Sequence, residues 1–435
     1  MHAKRHTVGV HCAAVVILHM VPMGALAGPS DHTHTASVGA VVTSSAASTE
    51  LTPEEERALL EAALGEDAAA QSDEPAPSAQ NTNPIVSAVL GAFQSANPDI
   101  ALILDVAASV FSAEPMQLGA HDPNRTGFTL QQLEMSLGAS VDPYFRFDAN
   151  IVFAQFGVEV EEAYASSLAL PWNLQLRAGQ FLTRMGRINQ SHPHSWHFTD
   201  QPLVNGKFLG GEGSRGLGAE VSWLTPLPWY AQVSASATDA AGACCARSFF
   251  GANDLGVSNV DDLLYTVRLE QFFPIDEDLS VYWGLTTQLG PNGSGNGNRT
   301  DIYATDLYVR YRPAASVVRA SLSLQMEGMF RSRELPGLEP LQDVGFYAQL
   351  VYIFALRWET GARHEYVSGV AGDPLDPDWN SGRHRTSLQL TFYPSHFSRI
   401  RLQGNHDAPT YRPGSIWSAM LALEVLVGAH GAHKF

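Results

Sequence analysis

Residues 144–153 read Tyr-Phe-Arg-Phe-Asp-Ala-Asn-Ile-Val-Phe. In an extended chain Phe145, Phe147, Ala149, Ile151 and Phe153 share one face, and Arg146, Asp148, Asn150 and Val152 the other. A helix would scatter those charges around its circumference, so the period of two specifies a strand with one apolar and one polar side. The pattern recurs outward in both directions. Leu133, Met135, Leu137, Ala139 and Val141 alternate with Gln132, Glu134, Ser136 and Ser140. Further on, Leu279, Val281, Trp283 and Leu285 alternate with Ser280, Tyr282, Gly284 and Thr286, and Leu388, Leu390 and Phe392 with Ser387, Gln389 and Thr391.

About sixteen such segments, each of about ten residues, begin near residues 99, 128, 144, 158, 173, 217, 229, 263, 279, 301, 316, 345, 356, 385, 397 and 416. Their connections alternate in length, with short ones at Pro143, Pro171, Pro226 to Pro228, Pro274, Pro313 and Pro394 and mostly longer ones between. Aromatic residues flank the short turns: Tyr144 and Phe145, Trp172, Trp229 and Tyr230, Phe272 and Phe273, Phe392 and Tyr393. Length sorting and an aromatic girdle are properties of a barrel that crosses a bilayer, whereas a soluble sandwich has no reason for either. The fold expected is therefore all-β: a transmembrane antiparallel β-barrel.

Composition agrees. The chain has 435 residues, 45% hydrophobic and 16% charged, against roughly 25% charged in soluble domains. A formal charge of -18 with only 26 Lys and Arg excludes nucleic acid as a partner, because phosphate neutralisation needs clustered cations.

Residues 1–27 read as a cleaved secretory signal peptide, with Lys4 and Arg5, an apolar run over 13–21, then Ala25, Leu26 and Ala27. That run is too short for a membrane helix and is bounded by Pro22. Residues 28–97 carry ten acids against Arg57 alone and read as an acidic periplasmic linker. Within it Thr52 as cap, Pro53 and Glu55 specify a short helix over 52–70, and apolar spacing suggests a second over 85–93. Residues 98–435 form the barrel. Cys244 and Cys245 are the cysteines beyond the signal; adjacent cysteines bridge only with strain, which leaves a redox or metal pair or two small residues of an exposed loop.

The last segment alternates Trp417, Ala419, Leu421, Leu423, Val425 and Val427 with Ser418, Met420, Ala422 and Glu424 and runs toward a terminal Phe435. With the signal peptide and the repeated strands, it resembles a Gram-negative outer-membrane porin, and the acidic leader is similar to that of the phosphate-selective porin-like group. The resemblance implies residence in outer-membrane lipid, insertion by the barrel-assembly machinery with Phe435 as part of the signal, and often a homotrimer. The lysine-rich arms of phosphate porins are missing, since lysine beyond the signal is limited to Lys207 and Lys434.

A barrel of this size encloses water. Parity places Arg146, Arg177, Arg268, Arg310, Arg319, Arg357, Arg363, Arg399 and Arg401 in the lumen, with Glu134, Asp148, Glu220, Glu270, Asp306, Glu327 and Glu359. Segregated onto opposite walls, they would create a transverse field that orients polar solutes; paired with neighbours, they would only satisfy one another. At Val158, Glu159, Val160, Glu161 and Glu162 the alternation breaks, as at a bulge or the aqueous rim, or as a carboxylate cluster for cations.

The long connection over 185–215 occupies the place of the inward constriction loop of general porins, so the resemblance makes it the selectivity element. His192, His194 and His197 lie close to Asp200 there, a spacing that can gather a transition metal or simply hydrogen-bond the loop. Gly211, Gly213 and Gly216 lead into a strand and not a helix, which dismisses a dinucleotide site. No nucleophile elbow is present and no cofactor is implied. The function expected is passive diffusion of small polar or charged solutes, not catalysis; the alternative is a non-conducting barrel acting as a binding, adhesive or metal-related surface protein.

Overall fold

The computed structural model describes residues 98–428 except 155–156, 241, 243, 251–256, 296 and 315–319, all within one compact unit. The stretches expected to be a signal peptide (1–27) and a linker with short helices (28–97), Arg319, and the tail with Phe435 lie outside the described residues.

Sixteen antiparallel strands form a closed barrel. They are β1 (Asp99–Phe111), β2 (Gly127–Ser140), β3 (Phe145–Ala154), β4 (Gly157–Ser167), β5 (Leu174–Leu182), β6 (Arg215–Leu224), β7 (Tyr230–Asp239) and β8 (Leu263–Pro274). The second half comprises β9 (Leu279–Pro291), β10 (Arg299–Tyr311), β11 (Ser321–Arg333), β12 (Leu341–Phe354), β13 (Trp358–Val367), β14 (Arg383–Ser395), β15 (Ser398–Pro409) and β16 (Ile416–Gly428). Each strand pairs with its sequence neighbours, and β1 closes on β16 with Ala101 opposite Gly428. Closure gives every strand a paired neighbour on both sides, the shortest pairing being Ala163–Ser166 of β4 with β5, and a closed ladder is the condition for strands to sit in hydrocarbon.

The faces are inverted relative to a soluble protein. Leu388, Leu402, Leu421 and Leu423 point outward and are exposed, Leu388 at 63%, while their strand neighbours Ser387, Gln389, Arg401 and Gln403 are buried inside. Each outward Leu gains about 1.5–3 kcal/mol when lipid replaces water around it. The turns after β2, β4, β6, β8, β10, β12 and β14 lie at one end, while the connections after β1, β5, β7 and β13 at the other run to many residues. At the short-turn end Tyr144, Phe145, Trp172 and Trp229 are exposed, as interfacial rings are, and Trp229 stacks on Phe273. Tyr393 departs from the expected girdle: its hydroxyl turns inward to donate to Glu359 at 2.9 Å.

Candidate functional site

The segment between β5 and β6, residues 183–214, lies inside the barrel. Its sequence explains why: Leu203, Val204, Phe208 and Leu209 need an apolar environment, and helix α1 (Leu203–Phe208) has every residue buried. These side chains pack with Met329, Tyr347 and Val367 of the wall and with Phe249, Phe250 and Trp379 of neighbouring connections. A core of this kind replaces water in that part of the lumen.

The inward charges of the wall hold the segment in place. Asp200 accepts from Arg363 at 2.5 Å and Gln403 at 2.7 Å and pairs with Arg385 at 3.1 Å. Burial alone would raise its pKa, but Arg385 and Arg363 outweigh that and lower it to about 2. Lys207 of α1 pairs with Asp343 at 2.7 Å; burial pushes its ammonium down to about 8 against the pull of that carboxylate. Backbone groups of the segment are taken up as well. Ile188 donates to Glu327 at 2.7 Å, Leu203 to Glu365 at 2.6 Å and Thr199 to Gln403 at 2.7 Å, while Arg399 and Arg401 both donate to the carbonyl of Trp196.

Several of the residues expected in the lumen form opposite-charge pairs. Arg268 contacts Asp306 at 2.7 Å and Glu270 at 3.1 Å. Arg177 meets Glu220, its cross-strand partner, at 3.0 Å, and Arg184 of the segment reaches the same carboxylate at 2.9 Å. Arg146 binds Asp148 at 2.8 Å and remains partly exposed. Arg310 is half-buried on the inner face of β10. Arg357 is a correction: it is exposed in the turn between β12 and β13, because the chain reverses at Ala355 and Leu356 with positive φ before β13 begins. Arg268, Arg331, Arg333, Arg363, Arg383 and Arg385 are each less than 2% exposed. Arginines facing an open water column would not be dry, so protein packs against the wall over this stretch.

The break at 158–162 is a β-bulge. Asn150 faces Glu162 and Ile151 faces Val160, which leaves Glu161 opposite no residue and turns both Glu161 and Glu162 into the barrel. A second bulge in β2, where Asp105 faces Gln132 and Val106 faces Leu130, turns Gln131 inward beside Gln132. Between these bulges lies a cluster of histidines and carboxylates. His121 Nε2 contacts Glu161 at 3.2 Å and Glu212 at 3.2 Å, and its Nδ1 contacts the Gln131 carbonyl at 3.0 Å. His192 Nδ1 contacts the other oxygen of Glu161 at 2.9 Å, and its Nε2 contacts Glu162 at 2.9 Å. His194 stacks on His192 and reaches Glu134 at 2.9 Å. The structure thus brings His192 and His194 together, whereas His197 points elsewhere, to Glu359 at 3.0 Å, and Asp200 is taken by Arg363 and Arg385.

Four buried or nearly buried carboxylates around these rings demand positive charge. Burial opposes a charged His121, but hydrogen bonds to Glu161 and Glu212 carry its pKa up to about 11. Burial likewise opposes the His192 charge and is outweighed by Glu134, Glu161 and Glu162, which raise it. A small pocket opens onto His121, Glu161, His192 and Glu212. Sequence reading missed His121 and Glu212, which lie in two different connections; the broken alternation at Glu161 was the available signal. The cysteines also differ from an exposed pair: Cys244 and Cys245 are bridged, and Cys245 is buried with Arg215 3.2 Å from its sulfur.

No protein-family model matches the chain. It is similar to an uncharacterised protein of Aquifex aeolicus, 31% identical over 386 residues that span 78% of this chain and 80% of that protein. Among solved structures it is similar to an anion-selective porin from Comamonas acidovorans, with TM-score 0.50 and 12% identity over 76% of this chain and 99% of that one. It is equally similar to the outer-membrane channel DcaP of Acinetobacter baumannii, with TM-score 0.50 and 10% identity over 76% and 97%. Pseudomonas putida OprB also gives TM-score 0.50, with 10% identity over 79% and 97%. The fold is that of the outer-membrane porin barrel, and the chain belongs to the family of the Aquifex aeolicus protein.

Proposed function

We propose that the chain is an outer-membrane channel protein that passes small polar or charged solutes through a lumen narrowed by residues 183–214. The observation that carries this is the docking of that segment inside a closed sixteen-strand barrel by wall charges, above all Asp200 between Arg363 and Arg385. The chemistry is selection, not catalysis. Arg146, Asp148, Arg177, Arg310 and Arg399 are the expected pore-lining charges that keep partial exposure, and the steering of solutes is assigned to them. In the same proposal residues 1–27 are a cleaved signal, 28–97 an acidic periplasmic linker, and Phe435 part of the signal read by the barrel-assembly machinery; assembly as a homotrimer belongs with it. Any kinship to the phosphate-selective group concerns architecture, because Lys207 is the sole lysine of the described residues and binds Asp343.

A second reading has its own support: the six dry wall arginines favour a closed lumen, in which the barrel serves as a binding or surface protein. Single-channel recording in a planar bilayer across a salt gradient separates the two. Discrete steps support the channel, and their reversal potential gives the sign of selectivity. Silence from a folded barrel supports the closed lumen.

A further inference from the structure

We infer that the cluster between the two bulges is a carboxylate-bridged site for two divalent transition-metal ions. One set of donors is His121 Nε2, one oxygen of Glu161 and Glu212; the other is His192 Nδ1, the second oxygen of Glu161 and Glu134. Within each set the donor atoms lie within 4.8 Å of one another. The site stands on these residues whether or not the lumen conducts.

Three features separate this cluster from a chance gathering of acids. The first is spacing: ligands 2.0–2.1 Å from a tetrahedral ion stand about 3.3 Å apart, and His121 lies 3.2 Å from both of its carboxylates, while His192 lies 2.9 Å from Glu161 and 3.8 Å from Glu134. The second is orientation. Each ring offers one nitrogen to the site and has the other fixed, His121 Nδ1 by the Gln131 carbonyl and His192 Nε2 by the Glu162 carboxylate. Such outer partners set the tautomer and ring angle of metal-binding histidines. The third is an orphan: Glu134 Oε1, on a side chain with no exposure, has no hydrogen-bond partner and is the oxygen that faces His192 Nδ1. Its other oxygen is held by His194 and Gln132, so the orphan cannot simply turn away.

The mixed imidazole and carboxylate donors suit first-row ions, with Zn²⁺ binding more tightly than Mn²⁺ at such a site. The two bulges make the arrangement: one places consecutive glutamates inward on β4, and the other brings the Gln131 backbone to His121.

The test uses the full-length, tag-free protein refolded in detergent, stripped with chelator and titrated with Zn²⁺, with Mn²⁺ in parallel and Co²⁺ absorption as a coordination readout. Wild type is expected to hold two tight Zn²⁺ equivalents. His121→Ala and His192→Ala each lose one, Glu161→Gln weakens both tenfold or more, and His197→Ala keeps both. Folding of each variant is checked by heat-modifiable migration; if Glu161→Gln fails to fold, Glu212→Gln replaces it and loses the His121 ion alone. Absence of tight binding would mean imidazolium–carboxylate salt bridges only, and equal binding by every variant would place the metal elsewhere, as on His32 and His34. Either result overturns the proposal.

Discussion

Asp200 on the inward segment and Arg363 on the barrel wall meet at 2.5 Å, 163 residues apart in sequence and with neither side chain more than 1% exposed. Their contact joins the two parts of the molecule that define its function, the pore wall and what fills it. Asp200→Asn keeps the shape and removes the charge, so Arg363 and Arg385, both buried, are left to share the single carboxylate of Glu365. Breaking a buried pair in this way costs about 3–5 kcal/mol. Hydrogen exchange of the amides over 199–209 is expected to rise in the variant, and channel conductance with it.

Acid should release the segment only at low pH. The Asp200 pKa is lowered to about 2, so its contribution is whole above the ordinary carboxylate range and fades as pH falls through about 2. Asp122 acts in the opposite sense. Burial, and then Asp200, raise its pKa to about 6, so its protonation relieves repulsion as pH falls below that value. Protection of residues 199–209 from exchange is therefore expected to hold or increase from pH 7 to about 4 and to collapse toward 2; loss near pH 5 would contradict the assignment.

The outward face predicts a depth-dependent penalty. Leu388 sits near mid-height of β14 and is exposed to the surroundings of the barrel. Leu388→Arg is expected to cost about 2–4 kcal/mol in a lipid bilayer, measured by reversible unfolding from liposomes. Ser387→Ala, one residue along and facing inward, should show no comparable lipid-dependent loss.

Gly186 has φ +70°, and a Cβ there would collide with the Glu327 carboxylate that holds the Ile188 amide. Gly186→Ala must accept a left-handed backbone, at roughly 1–2 kcal/mol, and displace that carboxylate as well. The expected result is an undocked start of the segment with an intact barrel, seen as faster proteolysis near residue 188 without change in heat-modifiable migration.

The wall was legible in the sequence because lipid and ladder hydrogen bonding impose a period of two that local residues must obey. Segments expected near 99, 263, 279 and 416 begin at those positions in β1, β8, β9 and β16. The segment expected near 316 begins later, as β11 at Ser321. Parity also put Arg268, Glu327 and Glu359 on the inner face. What parity cannot say is whether that face meets water or protein, since the answer lies in a segment far away in sequence. His121 meets Glu212 across 91 residues, and no periodicity links them. The break at Glu161 was the local mark of that meeting, because a bulge disturbs the pattern at the place where it redirects side chains.

The central claim is that residues 183–214 limit passage through an otherwise porin-sized barrel. The most direct measurement compares single-channel conductance of wild type with a variant in which a short linker replaces the middle of that segment, both folded in the same bilayer. Small discrete steps in wild type and several-fold larger steps in the variant are predicted. Equal conductance, or silence in both, would contradict it.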